Sequence, residues 1–256
     1  MEYFIGIILF IIGTLLGSFC TLAVYRIPLG KDITHERSFC PNCNHKLAFL
    51  DLVPVLSYIF LRGKCRYCNQ KIHPRYLCLE IFSGFAVLLF ACSLNIKFES
   101  MEIASLIYLV LGILYMLTLT LIAGIDKQYH QIQKGVYIFG VCVLILYILY
   151  LYIIEPSTIY RYAIYLFFML VITILDIIYM KRKKKLNYTL EILMLCLMLM
   201  IFSGAECFIC TVILTLASIA IYSLCNKKKK EAKIPVGFFL CIFNIALLIL
   251  QNFLIG

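Results

Sequence analysis

What most constrains this chain is a succession of apolar runs, each of about 18 residues or more and each long enough to cross a roughly 30 Å hydrocarbon layer as a helix. They follow one another from Met1 to Gly256 with short polar breaks between them. Candidate spans fall at 3–25, 77–94, 103–125, 136–154, 159–180, 188–205, 207–225 and 236–255. The predicted fold class is therefore an all-α polytopic membrane protein of about eight transmembrane helices. The boundary near Gly204 and Glu206 leaves open one long bent helix in place of two spans. The composition agrees, with 64% hydrophobic and 14% charged residues, where soluble chains average about 45–50% and about 25%. The first run starts at Met1 with no basic leader and no small-residue cleavage site, so it reads as a retained helix rather than a signal peptide.

The net charge of +10 raises nucleic acid as a partner, but the placement of the charges argues against it. Basic residues gather in short stretches between apolar runs, as cytoplasmic loops do, and no basic face is interleaved with aromatics. Assigned to alternate sides of eight spans, 21 of the 23 basic residues fall on one side and only Lys97 and Arg161 on the other. That bias puts the 26–75 segment in the cytoplasm and both termini outside. Seven spans would divide the lysines of 181–185 from those of 227–230. The lysine runs read as solvated flanks against anionic membrane lipid. Gly13 and Gly17 have the small-xxx-small spacing of close helix packing.

The one long polar break, Arg26 to Arg75, carries Cys40-Pro41-Asn42-Cys43 and Cys65-Arg66-Tyr67-Cys68. Of the 13 cysteines, most others sit singly in apolar runs as small hydrophobes. Two Cys-x-x-Cys pairs supply four thiolates, which suits tetrahedral zinc with no position left for a substrate. Their separation lies just past the usual window of about 15–20 intervening residues. Asn44 and Asn69 follow the pairs and tolerate a left-handed turn. Structural disulfides are disfavoured in a reducing cytosol, and a thioredoxin-like site lacks its strand-and-helix context. Cys40, Cys43, Cys65 and Cys68 are thus the expected ligands of a structural zinc. His35, His45 and His73 add no second metal motif and read as surface residues.

The wording of this segment goes further. Gly17-Ser18-Phe19, Tyr25-Arg26-Ile27-Pro28, Ser38-Phe39-Cys40-Pro41, Asp51-Leu52-Val53-Pro54-Val55-Leu56-Ser57-Tyr58, Arg62-Gly63-Lys64-Cys65 and Arg75-Tyr76 with Glu80 resemble the bacterial type IV prepilin peptidases, eight-span membrane aspartic proteases. The likeness is dense from about residue 13 to 84. Beyond it, Ile125-Asp126 resembles the family's first catalytic aspartate motif, and Ile234-Pro235-Val236-Gly237-Phe238-Phe239-Leu240 its late Ile-Pro-x-Gly-Pro-x-Leu stretch. The resemblance implies cleavage of the basic leader of prepilins or pseudopilins at the cytoplasmic face. In many members it also implies methylation of the new N-terminus with S-adenosylmethionine, for which this chain shows no glycine-rich fingerprint. It divides the chain into 1–94, with the four-cysteine loop at 26–75, and a six-span protease-like part at 95–256.

Aspartic proteolysis needs two neighbouring carboxylates, one ionised to activate water and one protonated to polarise the scissile carbonyl. Acids at span ends are costly and point to function; here these are Glu80, Asp126, Asp176 and Glu191. Asp126 matches the first catalytic aspartate, against the plainer reading of a helix-end acid paired with Lys127. The family's downstream Ile-Pro is Ile132-Gln133 here. Its second aspartate, in Gly-x-Gly-Asp, maps to Asn187-Tyr188-Thr189-Leu190-Glu191, which has neither glycine nor aspartate. Three readings follow. Glu191 substitutes, at the cost of an extra methylene; Asp176 serves, unless it only pairs with the 181–185 lysines; or the dyad is broken. Glu191 is the positional counterpart. Glu80 matches a family glutamate and equally suits a structural pairing with Arg75 or Arg62, and His130 reads as a solvated loop residue near Asp126.

Two functions of different class are therefore expected: a leader peptidase using Asp126 and Glu191, or a non-proteolytic relative that binds pilin leaders or only methylates. A small transporter fits less well, because the acids cluster at one boundary and not at the midplane.

Overall fold

The structure is a computed structural model that describes residues 2–34, 37–95, 102–154, 156, 159–183, 188–225 and 234–255. His35, Lys97, Lys184, Lys185, Asn187, Lys227 to Lys230 and Lys233, all used above, lie outside the described residues, as does the side chain of Asp176. The chain divides into two compact units, Met1–Cys92 and Ser93–Gly256.

The first unit holds two long helices, α1 (Glu2–Arg26) and α3 (Arg75–Ser93), joined by the polar segment with its short helix α2 (Leu56–Phe60). The two long helices meet through small residues. A Cβ on Gly13 would lie 2.6 Å from the backbone oxygen of Ser83, and one on Gly84 would lie 2.7 Å from the ring of Phe10. The spacing of Gly13 and Gly17 is therefore a packing device, which lets the two backbones approach closely without hydrophobic help from lipid.

The second unit contains α4 (Ile103–Tyr129), α5 (Lys134–Ile154), α6 (Ile159–Lys183), α7 (Tyr188–Cys225) and α8 (Val236–Ile255). Helix α8 packs on both α4 and α7, and α4 also packs on α5. Leu119, Ile125, Leu144, Met198 and Leu199 are sealed from solvent between them. Tyr115 and Tyr147 flank Phe202, with ring centroids 3.9 and 4.4 Å from it.

Among the described residues seven helices, not eight, are long and apolar enough to cross a membrane. The difference lies in α7, whose 38 residues would extend about 57 Å if straight, nearly twice a hydrocarbon core of roughly 30 Å. It is not straight. Gly204 sits inside it at φ 79 and ψ 166, a conformation essentially reserved for glycine. The buried amide of Asn244 on α8 donates to Ser203 Oγ at 3.0 Å and to Thr211 Oγ1 at 3.3 Å. That holds the two hydroxyls within about 6 Å, whereas eight residues of unbroken helix would separate them by roughly 12 Å. The chain kinks at Gly204, where the sequence left open one long bent helix in place of two spans. Tyr115 completes the lock by donating to Asn244 Oδ1 at 2.8 Å. The expected polytopic all-α architecture is borne out.

Gly204→Ala is expected to lower stability by about 1–3 kcal/mol through its backbone alone, since a Cβ there meets nothing within 4 Å. Gly135→Ala, equally open but at ordinary helical dihedrals, should leave stability unchanged or slightly raised. Thermal unfolding of the two variants in nanodiscs, followed by circular dichroism, checks the contrast.

Candidate functional site

The polar segment builds one cluster. Each Cys-x-x-Cys pair forms the same turn: Asn44 N–H donates to Cys40 O at 2.8 Å and Asn69 N–H to Cys65 O at 2.9 Å, with Cys40 N–H donating to His45 O and Cys65 N–H to Gln70 O. Asn44 and Asn69 take φ 56 and 57, the left-handed turn expected of them. The two knuckles bring four sulfurs together, all within 4.8 Å of one another. Cys40 Sγ and Cys68 Sγ are 3.8 Å apart, matching the roughly 3.8 Å edge of a tetrahedron with metal–sulfur bonds of about 2.3 Å. The donor set can hold a metal ion.

The thiols also behave as a group that a cation would reconcile. The side-chain amide of Asn42 beside Cys68, with the Gln70 backbone behind it, holds that thiol down at about 6. At Cys43 the His45 backbone pulls in the same direction. Desolvation and the neighbouring sulfurs of Cys40 and Cys68 outweigh it, and the thiol is pushed up to about 11. Four crowded thiolates repel each other, and a divalent ion removes that penalty. His45 is exposed, as expected, and its ring lies tilted over Tyr67 of the other knuckle with centroids 3.6 Å apart. Tyr67 in turn donates to Asp51 Oδ2 at 3.2 Å, and Arg66 pairs with Asp51 at 2.8 Å. His73 Nδ1 accepts the Arg75 N–H at the start of α3.

In the second unit the last turn of α4 carries Asp126, fully buried. The Ile-Pro-x-Gly stretch starts α8, where backbone N–H groups have no partner within the helix, and these face the acid. Phe238 N–H donates to Asp126 Oδ2 at 3.0 Å. A Cβ on Gly237 would lie 3.1 Å from the same oxygen, so glycine is what permits the approach. Tyr188 Oη accepts the Val236 N–H at 3.0 Å and is itself a hydrogen-bonding neighbour of Asp126. Asp126 Oδ1 is buried with no hydrogen-bond partner. Lys127 does not pair with Asp126; its ammonium lies 4.5 Å from the Phe238 ring centroid.

Glu191 is also buried, and its Oε2 accepts the Ile132 N–H at 2.9 Å. It stands one helical turn past Tyr188 on the same face of α7. The two stretches that depart from the family pattern, Ile132-Gln133 and Tyr188 to Glu191, are thereby bonded to each other. His130 differs from its expected solvated state. It caps α4 in the left-handed conformation with its N–H on Asp126 O at 2.9 Å, and its Nδ1 is buried without a partner. Glu80 differs too. Its Oε2 accepts the Val55 N–H at 2.7 Å, and among the described residues it forms no ion pair with Arg62 or Arg75. Asp176 lies on α6.

Sequence reasoning missed Tyr188 and the amides of 236–238. Tyr188 had a usable signal, its i, i+3 spacing to Glu191. The amides had one as well, since a proline–glycine pair opening a span marks a helix start.

Residues 11–94 match the family described as the bacterial peptidase A24 N-terminal domain. The chain is 41% identical over 87 residues to a prepilin leader peptidase/N-methyltransferase of Myxococcus xanthus, covering 34% of this chain and 25% of that protein. It is 40% identical over 89 residues to one of Vibrio cholerae, covering 32% and 35%. It is 32% identical over 136 residues to one of Klebsiella pneumoniae, covering 51% and 56%. The chain thus spans between 25% and 56% of the length of these relatives. No solved structure matches. Residues 11–94, which carry the four-cysteine island, match the bacterial peptidase A24 N-terminal domain, and there the resemblance to the type IV prepilin peptidases is borne out.

Proposed function

We propose that this chain is a prepilin or pseudopilin leader peptidase, an aspartic endopeptidase of the membrane with Asp126 as one catalytic carboxylate and Glu191 as its partner. The observation that carries the reading is Asp126 itself. It is buried, one oxygen is fixed by the start of α8, and the other has no protein partner. That second oxygen is where a water would be held and activated. Glu191, one turn behind Tyr188, is the acid that would stay protonated and polarise the scissile carbonyl, the division of labour a carboxylate pair requires. The longer glutamate arm reaches from a helix whose first turn lacks the family's glycines.

In this reading the four-cysteine island and the acids work at the cytoplasmic face, where the basic loops also lie, and both termini are outside. The island and first two spans form one part, 1–94, and the six-span part 95–256 does the cutting. Zinc is the metal that a set of four cysteine ligands favours, in a structural role. Methylation with S-adenosylmethionine rests on the likeness to relatives whose names include it, since no described residues form a recognisable donor site. A second reading has its own observation. Glu191 Oε2 already holds the Ile132 N–H, which suits a non-proteolytic relative that binds leaders or only methylates.

Purified full-length chain in nanodiscs is expected to shorten a cognate prepilin by its leader. Asp126→Asn and Glu191→Gln should each lower that rate by about 10²–10⁴-fold, with Glu191→Asp retaining part of it. Cleavage unaffected by Asp126→Asn would sink the assignment. Leader binding without cleavage in the unaltered chain would favour the second reading. Metal analysis should give about one zinc per chain, and chelation should expose Cys40 and Cys65, both buried, to alkylation. A metal-free chain whose four cysteines alkylate at once would remove the zinc site.

A further inference from the structure

The segment between the two knuckles has its polarity inside out. The carboxylate of Asp51 is turned inward, its side chain 2% exposed and tied to Arg66, Tyr67 and the Ala48 N–H. The apolar side chains around it are turned outward. Phe49 is 80% exposed and Leu50 67%, on the 3-10 turn Phe49–Asp51, and Ile59 is 58% and Phe60 80% on α2. The turn and α2 pack against each other, so these side chains make one ridge. Solvated loops have the opposite arrangement, and a contiguous exposed apolar patch marks a surface that is normally covered.

What covers it follows from where it is pinned. Val55, between the turn and α2, sits at φ 62, a costly conformation for a β-branched residue. The Glu80 carboxylate anchors its N–H at 2.7 Å. Glu80 is in the second turn of α3, about 7 Å along the helix from Arg75. Helix α3 has only 19 residues, or about 28 Å, so crossing a roughly 30 Å core uses its whole length. The Glu80 bond therefore holds Val55, and the ridge on either side of it, within about 7 Å of the depth where α3 enters the hydrocarbon. The charge fits the same surface, with nine basic residues against three acidic ones from Arg26 to Arg75. Lys46, Arg62, Lys64 and Lys71 are exposed among them.

We propose that the ridge Phe49, Leu50, Ile59 and Phe60 is a membrane-interface anchor. It is seated among the headgroups of an anionic bilayer, with the surrounding lysines and arginines on lipid phosphates. The metal-braced knuckles set on this anchor are held at a fixed height over the membrane. The proposal is independent of whether the chain cleaves a peptide.

The chain contains no tryptophan, so a single introduced one reports its own surroundings. Phe49→Trp and Phe60→Trp, each in the full chain in nanodiscs of mixed phosphatidylglycerol and phosphatidylcholine, should emit at blue-shifted wavelength. Lipids brominated near the headgroup should quench them. Gln70→Trp, on an exposed knuckle position, should emit as in water and escape quenching. Metal content equal to that of the unaltered chain shows that each variant has kept the knuckles. Water-like emission from both ridge positions overturns the proposal. So does blue-shifted emission that bromolipid cannot quench, because that means protein covers the ridge. Quenching equal to that of Gln70→Trp removes the anchor's specificity, and quenching undiminished in phosphatidylcholine alone removes the role given to the basic residues.

Discussion

The contact on which the membrane-embedded unit depends is that between the last turn of α4 and the first turn of α8, where Phe238 N–H meets Asp126. A helix start buried in a bilayer leaves several N–H groups without water or helical partners. In this chain they are taken up by one carboxylate and by one tyrosine hydroxyl from α7. Three helix ends are thereby tied at a single point. Glycine at residue 237 eases the approach, since a Cβ there would lie a tight 3.1 Å from the carboxylate oxygen. Near the middle of the same helices the Asn244 lock makes a comparable three-way tie, joining α4, the bend of α7 and α8. Between the two ties the packing is apolar, and apolar packing by itself does little to fix register between helices in lipid.

Much of this was legible in the sequence, for reasons that differ by region. The spans show because length and apolarity are what a bilayer demands. The island shows because four thiolates on one ion require two close pairs, and the left-handed asparagines follow from the turn that presents them. The bend at Gly204 was visible as a doubt about one helix or two. A glycine between apolar runs says that the backbone can turn and does not say that it must. What makes it turn is Asn244, 40 residues later and hidden inside an apolar run. Tyr188 and the α8 amides left only local signals, a helical spacing and a proline–glycine helix start, while the contact they make joins helix ends far apart in sequence. Glu80 was misjudged in partner, because its bond is to a backbone N–H and so leaves no complementary residue type to find.

The three acids placed here share one physical role before any chemistry. Glu80 holds Val55, Asp126 holds Phe238 and Glu191 holds Ile132, each through a backbone N–H. A carboxylate is a strong acceptor, and a backbone donor near lipid has few alternatives, so acids at span ends fix loops to helices whether or not they react. Burial of an acid at a span end is thus weak evidence of catalysis by itself.

In the proposed reading, what would set Asp126 apart from a purely structural acid is the oxygen left over. Its Oδ2 does the structural work, while Oδ1 is enclosed without a protein partner. An enclosed, unpartnered carboxylate oxygen is expensive unless a small polar molecule completes it. The nearby buried Nδ1 of His130, also without a partner, adds a second group in the same condition. The same helix end thus provides a rigid anchor and an unfilled valence side by side. In the proposed reading that is what a water-activating acid would use, since the free oxygen is held still by the bond its twin makes.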